Sequence, residues 1–178
     1  MTTEIDDPPV GRPPESTRCR DFERFFAAHH VPAIRYGLRR GLSEADAKEV
    51  AADALQVVWE KCPVLVDSAV PFLYRACRNL LLHALRSGRR RTEAEDRARR
   101  AFVIADAGHD AEALDHVRDA VDALGEPARE IIRLLYWDGL TAAQAAAVVG
   151  STEQAVWAQA SRARRQLARI LKENQHEH

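Results

Sequence analysis

Arginine side chains are concentrated in two segments of the chain, and arginine is well suited to holding phosphate groups. The segment from Arg75 to Arg100 has nine arginines and three acids, and residues 157–172 carry five basic side chains and no acid. The planar guanidinium makes paired hydrogen bonds with phosphates and guanine edges, which the lysine ammonium does not. Basic helical faces also release counterions when they neutralise phosphates. The placement of the arginines therefore predicts two nucleic-acid-binding surfaces.

The net charge of −1 conceals this segregation. The chain has 26 basic and 27 acidic residues, and residues 106–126 hold seven acids against Arg118 alone. A histone-like polycation is excluded, whereas binding of nucleic acid is not. Only three lysines are present, so a GC-rich genome explains why arginine replaces lysine. The functional inference therefore rests on the positions of the arginines in the chain.

Other kinds of chemistry find little support in the sequence. We find no glycine-rich phosphate loop, no nucleophile–base pairing and no metal-ligand spacing around His29 and His30, so we expect neither an enzyme nor a cofactor, metal or small-molecule substrate. The odd set Cys19, Cys62 and Cys77 lacks metal-ligand spacing and indicates a reduced, cytoplasmic protein. Cys62 and Cys77 are expected to be free buried thiols, with a redox switch as the alternative. No apolar run approaches the ~20 residues of a membrane span.

Apolar residues recur every three or four positions through most of the chain, and no alternating strand pattern of useful length occurs. We therefore predict an all-α fold of two small helical domains joined by a short acidic linker, the second containing a helix-turn-helix. The predicted organisation is a flexible leader (1–20), a first lobe (21–104), a linker (105–112), a second lobe (113–171) and a polar tail (172–178).

In the first lobe, the pattern predicts a helix over 21–40 interrupted at Pro32. A second helix is capped by Ser43 with Asp46 three residues on, and a third begins near Pro71.

The second lobe has sharper signals for helix ends. Pro127 is expected at a first helical position. Thr141 with Gln144 predicts a capping box for a short helix over 142–149, closed by Gly150. Ser151 with Gln154 predicts a second capping box, for a long helix that ends near Leu171. A short helix, a glycine turn and a longer helix form a helix-turn-helix.

These segments together resemble a known family. "FERFFAAHH", "RYGLRRGLSEADAKEVAADALQVVW" and "FLYRACRNLLLHALRSGRRR" look like the first-lobe helices of bacterial RNA polymerase sigma factors of the small extracytoplasmic-function (group IV) type. "LGEPAREIIRLLYWDGLTAAQAAAVVGSTEQAVWAQASRARRQL" looks like the C-terminal helix-turn-helix of that family. The resemblance covers residues 21–92 and 113–171, with the two lobes in the family's order.

The resemblance implies a transcription initiation factor that binds core RNA polymerase, directs it to promoters and helps to melt the −10 region. The first lobe would dock on polymerase through the helix that holds Asp46, Glu49, Asp53 and Leu55. The acidic connector would run through the polymerase near the RNA path. An anti-sigma protein is a further partner that the resemblance leaves open.

The resemblance also implies which residues contact promoter DNA. Contacts to the −10 element and its melting would come from Arg75, Arg78 and Asn79, and duplex phosphates upstream would be held by Arg86, Arg89, Arg90 and Arg91. The second helix of the helix-turn-helix would enter the major groove of the −35 element. Its contacts would come from Thr152, Glu153, Gln154, Trp157, Gln159, Arg162 and Arg165.

Some positions depart from the family pattern. Trp157, Gln159 and Ser161 stand where Lys, Arg and His are usual, which predicts a shallower salt dependence of DNA binding by the second lobe. Trp157 could pack against the first lobe, a partner or DNA. Lys48 stands where an acid is common. These changes favour an alternative function, a sigma-like helix-turn-helix regulator that no longer initiates transcription.

Overall fold

The structure is a computed structural model, and it describes residues 14–65, 68–86 and 111–174. The described residues form helices and connecting turns without a strand. The first lobe consists of α1 (Glu15–Arg39), α2 (Glu44–Lys61) and α3 (Ala69–Arg86). The second consists of α4 (Ala111–Asp122), α5 (Ala128–Ile132) with a π-helical turn (Arg133–Trp137), α6 (Ala142–Val149) and α7 (Glu153–Asn174). The all-α prediction is confirmed.

Helix α1 begins earlier than expected and does not break at Pro32. The leader prediction is wrong for residues 15–20, because Arg18 is buried and holds this turn against α2. Its guanidinium lies 3.8 Å from the centre of the Trp59 ring and donates to the Trp59 carbonyl oxygen. Proline removes one backbone donor from a helix, but the buried residues that follow, Ala33 and Ile34, pack into the core and maintain α1. Residues 1–13 of the predicted leader lie outside the described residues.

Helices α1 and α2 cross at a close approach that requires glycine. A β-carbon added at Gly37 would lie 3.1 Å from Ala47 Cβ and 3.3 Å from Ala47 Cα. The backbone cannot move away easily, since Ala47 is fully buried against α1.

We therefore expect Gly37→Ala to lower the free energy of unfolding by about 1–3 kcal/mol, the usual cost of overpacking a core. Chemical denaturation followed by circular dichroism measures this change. Gly125→Ala is the matched control, because a β-carbon there would meet nothing within 4 Å. Equal stability of the two variants would contradict the close approach.

Local capping signals set several helix ends. Ser43 Oγ accepts a hydrogen bond from the Asp46 amide at 3.1 Å, which confirms the predicted start of α2. Thr141 and Gln144 form the predicted capping box of α6, which ends at Gly150 with φ +70°. Pro127 is the cap residue that precedes α5, so the helix begins at Ala128, one residue later than predicted. Helix α7 continues to Asn174, three residues into the predicted tail.

Two apolar clusters make up the core. One lies within the second lobe and includes Val121, Leu124 and Ala163. The other contains first-lobe residues such as Leu73 and also residues of α6 and α7 such as Val156. The lobes are therefore packed on each other, with α3 against α6. No helix in the described ranges is long and apolar enough to span a membrane.

The three cysteines lie in different surroundings. Cys19 is exposed, Cys62 is half-buried and Cys77 is buried, and each is a free thiol. Burial raises the pKa of Cys77 to about 12, so this thiol stays protonated and unreactive at neutral pH. The expectation of a buried thiol is thus correct for Cys77 and only in part for Cys62.

Candidate nucleic-acid interface

Helix α3 carries a stripe of polar side chains along one side. At ~100° per residue, Arg75, Arg78, Asn79 and Arg86 fall within an arc of about 100°. Arg75, Asn79 and Arg86 are exposed and Arg78 is half-buried. The opposite side of α3 is in the core through Leu73, Tyr74, Cys77, Leu81 and Ala84. This amphipathic pattern forces the polar side chains onto one face, where together they could bind phosphates and a base. Arg89, Arg90 and Arg91 lie outside the described residues.

The first residue of this stripe is engaged by the second lobe. Arg75 donates through Nε to the carbonyl oxygen of Ala147 at 3.1 Å, and its Nη2 donates to the same oxygen. Ala147 lies in the last turn of α6, where helix carbonyls lack partners within their own helix. An arginine expected at DNA therefore caps the end of α6 in this conformation.

Helix α7 presents the predicted reading face of the helix-turn-helix. Its first turn is at the surface, with Glu153 and Gln154 exposed and Trp157 51% exposed. Arg162 and Arg165 are both exposed further along the helix. Val156, Ala160 and Ala163 are buried on the opposite side and fix the rotation of the helix.

Gln159 lies apart from the first turn of the reading face. At ~100° per residue it points about 160° away from Trp157 but only about 60° away from Arg162. The side chain is half-buried, and its Oε1 atom is buried without a hydrogen-bond partner in the part of the chain that the structure describes. Gln159 is thus less accessible than the exposed residues of the first turn of α7, and its role as a DNA contact stays a prediction.

The start of α7 also differs by one residue from the prediction. Thr152 Oγ1 accepts from the Ala155 amide at 3.2 Å, and the Thr152 carbonyl accepts the first helical bond, from Val156. Thr152 is thus the cap, and the predicted Ser151–Gln154 capping box is wrong. Ser151 and Thr152 are both residue types that cap helices, but the turn at Gly150 sets the position at which the next helix begins.

Thr152→Ala should lower the free energy of unfolding by about 1 kcal/mol, because the Ala155 amide would lose its acceptor. Ser151→Ala is the control and should change it by less than about 0.5 kcal/mol, as at most surface positions. Thermal unfolding of the two variants gives the comparison. A larger loss in Ser151→Ala would restore the capping box predicted from the sequence.

Helix α2 has an acidic face on the side away from the core. Asp46, Glu49 and Asp53 lie within an arc of about 60° at ~100° per residue, and Glu49 and Asp53 are exposed. Leu55, predicted to contact polymerase, is only 1% exposed and packs in the core. It therefore holds α2 in the first lobe and is not available for contact with a partner. Glu60 extends the same acidic face two turns beyond Asp53. It was not predicted as part of this face, although its spacing of seven residues from Asp53 places both on one side of the helix.

A buried cluster of polar residues joins the lobes, and we call it the interlobe cluster: Tyr36, Arg39, Arg40, Glu130 and Asp138. Arg40 donates to Glu130 Oε2 and Asp138 Oδ2, both at 2.8 Å. Arg39 donates to Asp138 Oδ1 at 2.9 Å and to the Trp137 carbonyl oxygen at 3.0 Å. The Tyr36 hydroxyl donates to Glu130 Oε1 at 3.1 Å. The guanidinium groups of Arg39 and Arg40 thus face the carboxylates of Glu130 and Asp138. Each carboxylate accepts hydrogen bonds from two side chains.

Burial and the neighbouring charges together set the charge states in this cluster. The side chain of Arg40 is 4% exposed and that of Asp138 is fully buried. Burial disfavours the charge of Arg40, but Asp138, Tyr36 and Glu130 outweigh burial and hold the pKa of Arg40 above its usual value. Burial also raises the pKa of Tyr36 well above its usual value, so the hydroxyl keeps the proton that it donates to Glu130.

Sequence reasoning missed this cluster because its members are about 90 residues apart. The local sequence marks Asp138 only as the end of a helix. In the structure, Asp138 directly follows the π-helical turn. Its backbone amide donates to the carbonyl oxygen of Arg133, five residues earlier.

Comparison with known proteins agrees with this geometry. Residues 114–167 match the family model of sigma-70 region 4. The structure of CnrH in complex with the cytosolic domain of CnrY is similar, at 25% identity and a TM-score of 0.61, over 88% of this chain and 91% of CnrH. The sigma factor RpoE from Bartonella quintana, in complex with the anti-sigma factor NepR, gives 21% identity and a TM-score of 0.61, over 86% and 98% of the two chains. No curated protein matches the chain at a significant level.

Residues 114–167 therefore match sigma-70 region 4, and the chain as a whole has the fold of these solved structures, one of which is a sigma factor. The resemblance to sigma factors is confirmed.

Proposed function

We propose that this chain is a transcription initiation factor that binds core RNA polymerase, directs it to specific promoters and helps to melt the −10 region. The observation that carries the proposal is one chain with both a region 4 helix-turn-helix and a first lobe whose α3 presents an arginine–asparagine face. A DNA-binding domain alone would not need the first lobe.

The first lobe would act at the −10 element through the stripe on α3. Opening the duplex unstacks bases at a cost of a few kcal/mol, which contacts to a captured base must offset. Asn79 has the amide that pairs with a base edge, and Arg75, Arg78 and Arg86 have the charge to hold the adjacent phosphates. The packed opposite side of α3 keeps these groups on a rigid support.

The second lobe would place the first turns of α7 in the major groove of the −35 element. Exposed Glu153, Gln154 and Trp157 lie where the N-terminal end of a recognition helix meets base edges. Arg162 and Arg165 lie further along, where a helix leaves the groove and meets phosphates.

Core polymerase would bind the acidic face of α2 in the bacterial cytoplasm. Charged groups at the rim of an interface steer association and select the partner. Asp46, Glu49 and Asp53 supply such a face without contributing to the core.

An anti-sigma protein is the further partner that we propose. The similar sigma factor RpoE was solved with an anti-sigma factor, and CnrH with a cytosolic domain of CnrY. Exposed Trp157 and Tyr136 are aromatic side chains of the kind that anchor protein interfaces.

The alternative is a sigma-like regulator that binds DNA without polymerase. The recognition helix favours it, because Trp157 stands where the family has a cation. Capture of core polymerase on the tagged chain separates the two functions. If the chain is an initiation factor, it should retain core subunits in the absence of DNA. It should retain a promoter fragment only when core polymerase is present. Retention of DNA without core, and no core subunits, would favour the regulator.

A further inference from the structure

The end of α7 that would enter the major groove has no positively charged side chain. Residues 151–161 contain one acid, Glu153, and no arginine or lysine, and the first basic side chain of the helix is Arg162. Arginine or lysine on the O6 and N7 atoms of guanine is the commonest specific contact between a protein and a base edge. The reading end of α7 therefore lacks the side chains that usually select guanine.

The side chains that this end does expose suit the other three bases. They are Glu153, Gln154, Trp157 and Ala158, while the Thr152 hydroxyl is engaged in capping the helix. Glutamine pairs with adenine, a carboxylate accepts from the amino group of cytosine, and apolar side chains contact the methyl group of thymine. The largest of the four, Trp157, therefore falls in the class that contacts thymine.

Trp157 differs from the other two tryptophans of the chain in its surroundings. The Trp59 ring centre lies 5.0 Å from that of Phe22, and Trp137 packs against the apolar cluster of the second lobe. Trp157 is 51% exposed, and its neighbour Val156 is fully buried, which holds the indole ring on the outer side of α7. The indole has a single N–H donor, one short of the paired contact that guanine accepts. It offers a base edge mainly an apolar surface.

The neighbours of Trp157 on α7 favour a duplex as its partner. Gln154 lies three residues earlier, about 4.5 Å along the axis and ~60° around it, so the two side chains would meet neighbouring base pairs, which are ~3.4 Å apart. Arg164 and Arg165 are exposed about two turns further along, within an arc of ~80° from Trp157. A phosphate backbone fits these cations, whereas an apolar protein surface would leave them without partners.

We infer that Trp157 is a specificity-determining residue of the helix-turn-helix, and that it selects thymine by packing its indole ring on the C5-methyl group in the major groove. Among the four bases, thymine has the apolar group at this edge. The inference rests on the proposed function for its place at the −35 element. The contact itself needs only α7 and a duplex, so it can be measured with and without polymerase.

Selection of duplexes from a pool with a randomised stretch tests the inference on the full chain, once alone and once with core polymerase. We expect the wild-type chain to enrich thymine at a position where Trp157→Ser has no preference. Trp157→Phe should keep thymine there, and Trp157→Lys should select guanine. Tyr136→Ser is the matched control and should select the same bases as the wild type, because Tyr136 is 53% exposed but lies before the helix-turn-helix.

Uracil in place of the selected thymine removes the methyl group and leaves base pairing unchanged. Burial of one such group is worth about fourfold in affinity, so the wild-type chain and Trp157→Phe should bind the uracil duplex about fourfold more weakly than the thymine duplex. Trp157→Ser should bind the two duplexes equally. Equal binding by the wild-type chain would overturn the inference, and so would an unchanged thymine preference in Trp157→Ser.

The outcomes separate this inference from the proposed function. A chain that selects thymine but retains no core polymerase would refute initiation and leave the thymine contact standing. Initiation that is equally efficient on uracil and thymine promoters would refute the thymine contact and leave initiation standing. Absence of any base preference, both with and without core polymerase, would overturn the inference.

Discussion

Replacing Asp53 by lysine is expected to weaken binding of core RNA polymerase at least about 30-fold. We place Asp53 at the centre of the docking face, where its charge pair would be buried on binding. Removing one partner of a buried, hydrogen-bonded charge pair typically costs about 2–5 kcal/mol, and each 1.4 kcal/mol is a factor of ten. Reversing the charge adds repulsion to that loss. Asp53 is exposed at the centre of the acidic face of α2, so the change should leave the fold intact.

Glu44→Lys is the matched control for this experiment. It makes the same charge reversal on the same helix, but Glu44 lies about 180° around α2 from Asp53 at ~100° per residue and pairs with Lys48. Titration of labelled chain with core polymerase should separate the two variants clearly. If Glu44→Lys weakened binding as much as Asp53→Lys, the effect would be one of net charge and the proposed docking face would be wrong.

The double variant Arg78→Ala with Asn79→Ala is expected to reduce transcription from a duplex promoter about 100-fold. A side-chain contact to a base edge contributes about 1–3 kcal/mol, and stacking or cation contacts to an unpaired base contribute similarly. Two such losses together amount to at least one or two factors of ten. Both residues lie on the face of α3 away from the core, which limits the structural cost.

A premelted template distinguishes loss of opening from loss of folding. If the two residues capture an unstacked base, a promoter with an unpaired −10 region should recover most of the lost activity. Permanganate reactivity of thymines reports the opening itself. Arg24→Ala is the control, because Arg24 is a strongly exposed arginine that pairs only with Asp21 among the contacts of the described chain. Equal loss on both templates would argue against a role in melting.

Features encoded in a few neighbouring residues could be predicted from the sequence. The capping box of α6 needs only Thr141 and Gln144, and the αL turn that follows needs Gly150. The faces of α2 and α3 follow from the spacing of apolar residues, so this spacing alone locates the acidic and basic stripes.

Features that depend on residues far apart in the chain could not be predicted from the sequence. The burial of Arg18 depends on Trp59, 41 residues away, and the pairing of Arg40 with Asp138 spans 98 residues. A charged residue at a helix end is normally solvated, so nothing local marks Arg40 as buried. The partial burial of Gln159 could not be predicted for a different reason: family resemblance supplies a role, while the rotation of α7 is set by Val156 and Ala160 in the core.

We propose that this chain makes core RNA polymerase specific for promoters. Run-off transcription on genomic fragments, with core polymerase and with or without the chain, measures that change. We expect discrete transcripts with defined start sites only when the chain is present, and their loss in the Arg78→Ala and Asn79→Ala double variant. Transcripts that are unchanged by the chain, or no transcripts from any fragment together with no retention of core polymerase, would contradict it.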